Sequence, residues 1–425
     1  MGFLKKFTKQ EISWMMYDWA NSAHSVIVVT ILPIFFDTVA GYTADSVSSM
    51  STWGFATSLA MAIVALSAPF LGVFGDIRGM RKKLFTAFML IGVVSVAGLS
   101  FTPFMDFTAS PDAAGRVAAI VLVLYITSTI GFDASCIYYD AFLTDVTTED
   151  RMDSVSTLGY GLGYIGGSTI PLLIFLIMNA VGVPMLTCLG FIFGLTAVWW
   201  LVFSVPLVKN CEQTSGKPYK KGDVGASIKN VFTTMKEIGA DKPMLIYIIS
   251  YFFYIDGVHT IISMSTSYGT DLGIDSTQLV LALLVTQFVA FPSAIAYGNL
   301  AKRFGTKRML KVGVLAYFFI VLFAAFFLKS AVEFWILAIC VGLFQGGIQA
   351  LSRSEYGKLI PKERANEYYG FFDIFGKYAA VMGTFLVSAF TQLTGSSSLG
   401  VLSIALLFIV GFLFLRAMPP MLGDS

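Results

Sequence analysis

The sequence predicts an all-α membrane protein of twelve transmembrane helices arranged as two pseudo-symmetric six-helix bundles. Three observations predict it. The 425 residues are 56% hydrophobic and only 13% charged, about half the charged fraction of a soluble domain. Twelve stretches are apolar over the roughly 20 residues needed to cross the hydrocarbon. A short basic turn also recurs with a spacing of 226 positions and no gap: Gly72 falls on Gly298, Gly79 on Gly305, Arg81 on Lys307 and Lys82 on Arg308. One position breaks the match, because Asp76 meets Lys302. Two copies of a turn between paired spans mean two copies of one unit.

Taken in order, the spans fall near residues 14–36, 53–74, 84–101, 117–139, 156–179, 186–207, 244–266, 278–300, 309–328, 334–352, 368–391 and 398–415. The division is 1–208 for the first bundle, 209–243 for a polar linker and 244–425 for the second bundle. The linker carries Lys209, Lys217, Lys220, Lys221, Lys229, Lys236 and Lys242. Lysine and arginine accumulate in cytoplasmic loops. With the N-terminus inside, all 28 except Arg116, Lys329 and Lys377 lie in inner segments, so both termini are expected in the cytoplasm. Outer loops 37–52 and 267–277 have no cation and carry Asp37, Asp45, Asp271 and Asp275. Lys5, Lys6 and Lys9 precede the first span without a small-residue cleavage pattern, so that span is expected to stay in place. The repeat reappears after spans 4 and 10 with an offset of 213: Arg151 falls on Arg364 and Gly163 on Gly376.

Two six-helix halves with basic turns after the second and fourth helices closely resemble the major facilitator superfamily, whose loop signature the 72–83 turn is similar to. A narrower resemblance rests on Trp14-Met-Met-Tyr17-Asp18-Trp19-Ala20-Asn21-Ser22-Ala23, Tyr254-Ile-Asp256-Gly257-Val-His259-Thr260 and Gly346-Gly347-Ile-Gln349-Ala350-Leu351-Ser352-Arg353-Ser354. These look like the vacuole-effluxer branch, which includes the yeast autophagy-related protein 22 type and bacterial relatives. The resemblance implies a secondary transporter, with amino-acid efflux proposed for fungal members. It also implies that the first and fourth helices of each half line a central cavity, and that Asp76 and Arg81 latch the halves on the cytoplasmic side.

An ionisable side chain within a span costs roughly 2.5 kcal/mol or more unless it faces the bundle interior or water. Each one therefore needs a reason. Asp18, Asn21 and Ser25 form one stripe, Asp256, His259 and Ser263 a second, and Gln345, Gln349 and Arg353 a third, by their spacings of three and four residues. Asn21, His24, Gln345, Gln349 and Arg353 are candidates for the solute cavity. Arg353 suits a carboxylate or phosphate through paired hydrogen bonds, or else pairs with Asp140 or Asp373. Asp18, Asp133, Asp256 and His259 are candidates for proton coupling, since a deep carboxylate tends to hold its proton and imidazole titrates near neutrality when unperturbed. The competing reading for each is a hydrogen-bonded packing residue. Asp76, Arg81, Asp140, Asp373 and Lys377 are candidates for a cytoplasmic gate, with simple Asp373–Lys377 pairing as the alternative. Gly159, Gly161, Gly163, Gly166 and Gly167 crowd the fifth span and are expected to allow close helix packing.

No Walker loop, GxSxG or zinc spacing is present, so no enzyme, no metal and no cofactor is expected. Cys136, Cys188, Cys211 and Cys340 have no CxxC spacing, and no disulfide is expected. A net charge of +2 gives no sign of nucleic acid. The expected function is a secondary active transporter, symporter or antiporter, moving an amino acid or similar small polar solute by alternating access. Efflux is one direction considered. The coupling ion is expected to be H⁺, with Na⁺ the other candidate. The alternative is a non-transporting membrane sensor or scaffold whose linker docks a partner. The expected partners are the solute and the lipid bilayer, with the protein a monomer. The expected location is a bacterial inner membrane, or a vacuolar membrane in a eukaryote.

Overall fold

The computed structural model describes residues 6–43, 49–218 and 223–419. Lys5, Asp45, Lys220 and Lys221 lie outside the described residues, as do the side chains of Lys229, Asp271 and Lys377. Among the described residues the elements are helical, and the one β feature is an isolated parallel bridge between Ile77 and Lys217.

Among the described residues eleven helices are long and apolar enough to cross a membrane, and a twelfth, Ala365–Thr394, lies in order between the last two of them. They are spans 1 to 12 below: Lys9–Ala40, Thr52–Gly75, Met80–Phe104, Pro111–Val146, Glu149–Ala180, Met185–Asn210, Lys242–Ser265, Leu281–Phe304, Thr306–Phe327, Ala331–Leu359, Ala365–Thr394 and Ser397–Ala417. Span 1 breaks at Ile31, where Pro33 opens its second segment, Leu32–Ala40; proline has no N–H to continue the ladder.

Several helices run past the expected span limits. Span 4 has 36 residues, about 54 Å at 1.5 Å per residue, against a hydrocarbon core of about 30 Å. Asp140 and Arg353 therefore sit inside continuous helix rather than at loop ends. The linker also holds an 18-residue helix, Asp223–Ala240, which charge counting alone did not suggest.

Two apolar cores form, one from residues of spans 1 to 6 and the other mainly from the linker helix and spans 7 to 12. Val73 and Ala141 of the first half join the second core, so the halves meet beside the 72–83 turn. The two turn glycines share a positive φ, 81° at Gly79 and 85° at Gly305, a region open to glycine without Cβ strain, while ψ is 0° at Gly79 and 144° at Gly305.

Small residues set the helix spacing. A Cβ on Gly131 of span 4 would lie 2.4 Å from Gly92 N of span 3, and one on Gly92 would lie 2.3 Å from the Trp200 ring of span 6. Neither neighbour at the Gly131 crossing is a movable side chain. Gly131→Val should therefore destabilise the fold by about 1–3 kcal/mol through overpacking, read as a lower unfolding temperature of the detergent-purified protein. An unchanged temperature would mean that the two helices are not in contact there.

Candidate functional site

The site is a set of polar contacts across the two halves, all on the side that carries the linker. Its centre is Arg353 of span 10, 3% exposed. Nη2 donates to Asp18 Oδ2 of span 1 at 3.1 Å, Nη1 to Asp140 Oδ1 of span 4 at 3.2 Å, Nε to Ser156 Oγ of span 5 at 3.0 Å and Nη2 to Ser156 O at 3.2 Å. The guanidinium also lies 4.4 Å from the centroid of Tyr160, 4.6 Å from Trp14 and 5.3 Å from Tyr139. One side chain of the second half is thus held by three helices of the first, through ion pairs and aromatic faces. The close approach is possible because span 5 has no side chain at Gly159, where a Cβ would lie 2.5 Å from Asp18 Oδ2. Further along, span 5 winds as a π-helix from Gly163 to Thr169 against span 1; such segments recur at functional sites.

A second contact uses the 72–83 turn. Asp76 Oδ1 accepts from Asn366 N at 2.9 Å and Asn366 Nδ2 at 2.8 Å, and Oδ2 from Glu367 N at 3.0 Å. Both donors belong to the first turn of span 11, and Gly72 lets the two backbones meet: a Cβ there would lie 2.4 Å from Asn366 O. Arg81 lies 3.9 Å from Asp76, bonds the Ala141 carbonyl at 3.1 Å and pairs with Asp145. The linker clips this turn from outside. Gln213 Oε1 accepts from Gly79 N at 2.9 Å, Gln213 Nε2 donates to Gly75 O at 3.0 Å, and Thr214 and Ser215 cap Asp145 Oδ1. In the linker helix, Glu237 pairs with Arg364 at 2.5 Å, and Thr234 bonds Arg364 and Glu367.

A third contact centres on Asp153 of span 5. Lys358 Nζ reaches both its oxygens at 2.8 Å, and Ser354 and Thr306 each donate to it at 2.6 Å.

The remaining residues singled out from sequence are placed as follows. Gln349 Nε2 donates to Tyr164 OH at 3.5 Å, and Gln345 also bonds Tyr164, so both glutamines of span 10 face the π-helical segment. Asn21 is buried with Nδ2 3.7 Å from Cys136 Sγ. His24 faces residues of its own half: it stacks on Phe132 at 4.7 Å, tilts against Trp200 at 5.2 Å and lies 3.3 Å from Ser128 Oγ. Asp133 is buried in span 4. Asp256 is fully buried in span 7, its Oδ1 accepting from Gly383 N of span 11 at 2.9 Å and from Thr260 Oγ1 at 3.3 Å. His259 bonds the backbone at Gly376. Asp373 is half-buried on span 11. Asp145, Asp153, Ser156, Gln213, Asn366 and Glu367 were not foreseen. The offset of 213 does place Asn366 on Asp153 and Glu367 on Ser154, which is the signal that marks both ends as equivalent.

Burial pushes the Asp76 carboxyl up to about 7, against the pull of Arg81 and the donors of Asn366 and Glu367. The assembled contact thus holds a proton more tightly than a solvated carboxylate of pKa about 4. Acid favours closure, and the preference is lost as pH rises through about 7. Spin-label distances between the 72–83 turn and the start of span 11 should lengthen between about pH 5.5 and about pH 8.5 in the wild type and stay short in Asp76→Asn; a pH-independent wild type would refute this. Arg353→Gln should cost about 3–5 kcal/mol, because Asp18 and Asp140 stay buried without their cation. Thermal unfolding should show that loss, partly recovered in the triple variant with Asp18→Asn and Asp140→Asn.

Comparison with known proteins agrees with this layout. Residues 144–421 match the family model described as vacuole effluxer Atg22 like. The chain is similar to an uncharacterised MFS-type transporter of Bacillus subtilis (strain 168), YxiO: 43% identity over 424 residues, covering 98% of this chain and 96% of that one. It is 24% identical over 279 residues to autophagy-related protein 22 of Cryptococcus neoformans var. neoformans serotype D (strain JEC21), covering 60% of this chain and 48% of that protein. Among solved structures it is similar in fold to the major facilitator superfamily transporter FucP in the outward conformation, with a TM-score of 0.74, 14% identity and coverage of 97% of this chain and 99% of that one.

Proposed function

The chain belongs to the vacuole effluxer Atg22-like family and is an integral membrane transporter of the major facilitator fold that carries a small-molecule solute, and from that premise we propose that it is a secondary active transporter of a small polar solute, an amino acid first among candidates, working by proton-coupled alternating access. The observation that carries this reading is that Arg353, Asp76 and Asp153 each close contacts between the halves on the linker side. A protein joined by breakable ion pairs at one end of its interface is built to part there. The linker side is cytoplasmic in this reading, since it holds the cations, and the membrane is a bacterial inner membrane.

The polar residues divide by what they touch. Asp18, Asp140 and Arg353 act with Asp76 and Arg81 as the gate, with Asp373 of span 11 a further candidate. Gln345 and Gln349, beside Tyr164, and Asn21, beside Cys136, line the solute path in this reading. Asp256 is the leading coupling carboxylate: among the described residues no cationic side chain pairs with it, so a mobile proton is the counter-charge it can take up and give away. Asp133 and His259 are the other coupling candidates. His24, enclosed by Phe132, Trp200 and Ser128, belongs to packing in this reading.

The test is solute uptake into liposomes containing the purified protein, using labelled amino acids, peptides and organic anions with and without an inward proton gradient. Gradient-driven accumulation of one class by the wild type should fall to the no-gradient level in Asp256→Asn. Full accumulation by that variant would remove Asp256 from coupling, and no transport by folded wild type would favour the sensor reading instead.

A further inference from the structure

The two halves are not equal at the linker side, and the difference leaves a charged cleft. In one half Asp76 places its carboxylate on the start of span 11, against Asn366 and Glu367. The equivalent of Asp76 is Lys302, and the equivalents of Asn366 and Glu367 are Asp153 and Ser154, by the offsets of 226 and 213. A glycine marks the close approach at each contact: a Cβ on Gly72 would lie 2.4 Å from the Asn366 carbonyl oxygen, and one on Gly298 would lie 2.1 Å from the Thr157 side-chain Oγ1. A carboxylate fills the first contact; a cation takes its place in the second.

The result is a cleft of about 160 Å³ between span 5 and span 8, lined by Lys6, Arg151, Ser154, Asn299 and Lys302 and, about one turn further along each helix from the linker side, by Leu158 and Ile295. Arg151 is committed to Glu11 through Nε and Nη2. Among the described residues neither Lys6 nor Lys302 has a carboxylate at ion-pair distance. Ser154 is 9% exposed, lines the cleft, and its Oγ has no hydrogen-bond partner. Three cations and an unused buried hydroxyl surround a space whose counterpart in the other half holds a built-in anion.

We propose that this cleft binds an anionic phosphate group, which supplies between spans 5 and 8 the negative charge that Asp76 supplies between the 72–83 turn and span 11. A lipid headgroup fits the gradient from cations to Leu158 and Ile295, one turn deeper toward the hydrocarbon; basic pockets between membrane helices hold such headgroups. A soluble phosphate offers the same chemistry. Because one wall comes from each half, the bound anion ties the halves together in the state closed on the linker side. The proposal does not depend on which solute is carried.

The test is a thermal-shift titration of the full chain in neutral detergent with dioleoyl phosphatidylglycerol, dioleoyl phosphatidylcholine and inorganic phosphate in separate arms. Phosphatidylglycerol should raise the unfolding temperature saturably and phosphatidylcholine should not. Lys302→Gln should raise the half-maximal lipid concentration about fivefold, the worth of one interfacial cation. Lys302→Asp, which restores the carboxylate of the other half, should abolish the shift while the protein remains folded. A shift with inorganic phosphate as well would support the site and assign it to the phosphate group itself. Equal shifts with both lipids, or an undiminished phosphatidylglycerol shift in both variants, would overturn it.

Discussion

A buried guanidinium with three helices of the opposite half around it is the constraint on which the rest of the architecture depends. Charges in a low-dielectric interior are tolerated only with partners and hydrogen bonds in place, and Arg353 has Asp18, Asp140, Ser156 and three aromatic faces. That requirement fixes the crossing of spans 1, 4, 5 and 10, and it explains why span 5 is stripped of side chains where it passes Asp18. The same buried pair is poor at conferring stability for its own sake, because desolvation offsets most of the Coulomb gain. A cluster that is costly to bury and costly to break in part suits an interface with two discrete arrangements better than a permanent core.

Duplication supplies the frame, and the charges on the linker side depart from it. The paired glycines keep the frame in outline: Gly79 and Gly305 share a positive φ, and Gly72 and Gly298 each admit a close approach from the other half, to the Asn366 backbone and the Thr157 side chain respectively. The charges are not kept. Asp76 against Lys302 and Asn366 against Asp153 give one contact a built-in carboxylate on a helix start, and the other a carboxylate held by Lys358 beside an open basic cleft. The linker strengthens the inequality, since Gln213 and Thr234 clip only the Asp76 side.

Much of this was legible in the sequence. The hydropathy and the 226-residue echo were enough for the twelve-span, two-half fold, because lipid leaves few options for satisfying a polar backbone. Of the polar stripes of spans 1, 7 and 10, Asp18, Asn21, Asp256, Gln345 and Arg353 are buried, whereas Ser263 of the span 7 stripe is exposed. What could not be read was partnership. Nothing in the spacing of Gln345, Gln349 and Arg353 says that the arginine reaches Asp18 and Asp140 at once while the glutamines turn to Tyr164, because those contacts join positions up to 335 apart. His24 illustrates the same limit: a buried imidazole reads alike in sequence whether it faces the other half or, as here, Phe132 and Trp200. Asp145, Asn366 and Glu367 lay in short loops or helix ends, where a carboxylate or amide carries no penalty that would draw attention to it.

Span 11 links the gate to the proposed coupling residue in a way that neither site suggests alone. Its first turn donates Asn366 N and Glu367 N to Asp76, and Gly383 N of the same helix donates to Asp256 Oδ1. Those donors are 17 residues apart, about 25 Å of helix, and a helix of that length moves more readily as a rod than it bends. The absence of a side chain at Gly383 brings span 7 close enough that a change in the charge of Asp256 acts directly on a backbone donor of span 11 rather than on a flexible side chain. In the proposed cycle, protonation at Asp256 weakens that hydrogen bond, since a carboxylate accepts more strongly than a neutral acid. The displacement then appears at the other end of the helix, where Asp76 and the linker hold it. Coupling in the proposed cycle requires no chain of intervening side chains: one rigid element is held at two points, and each point is a buried carboxylate.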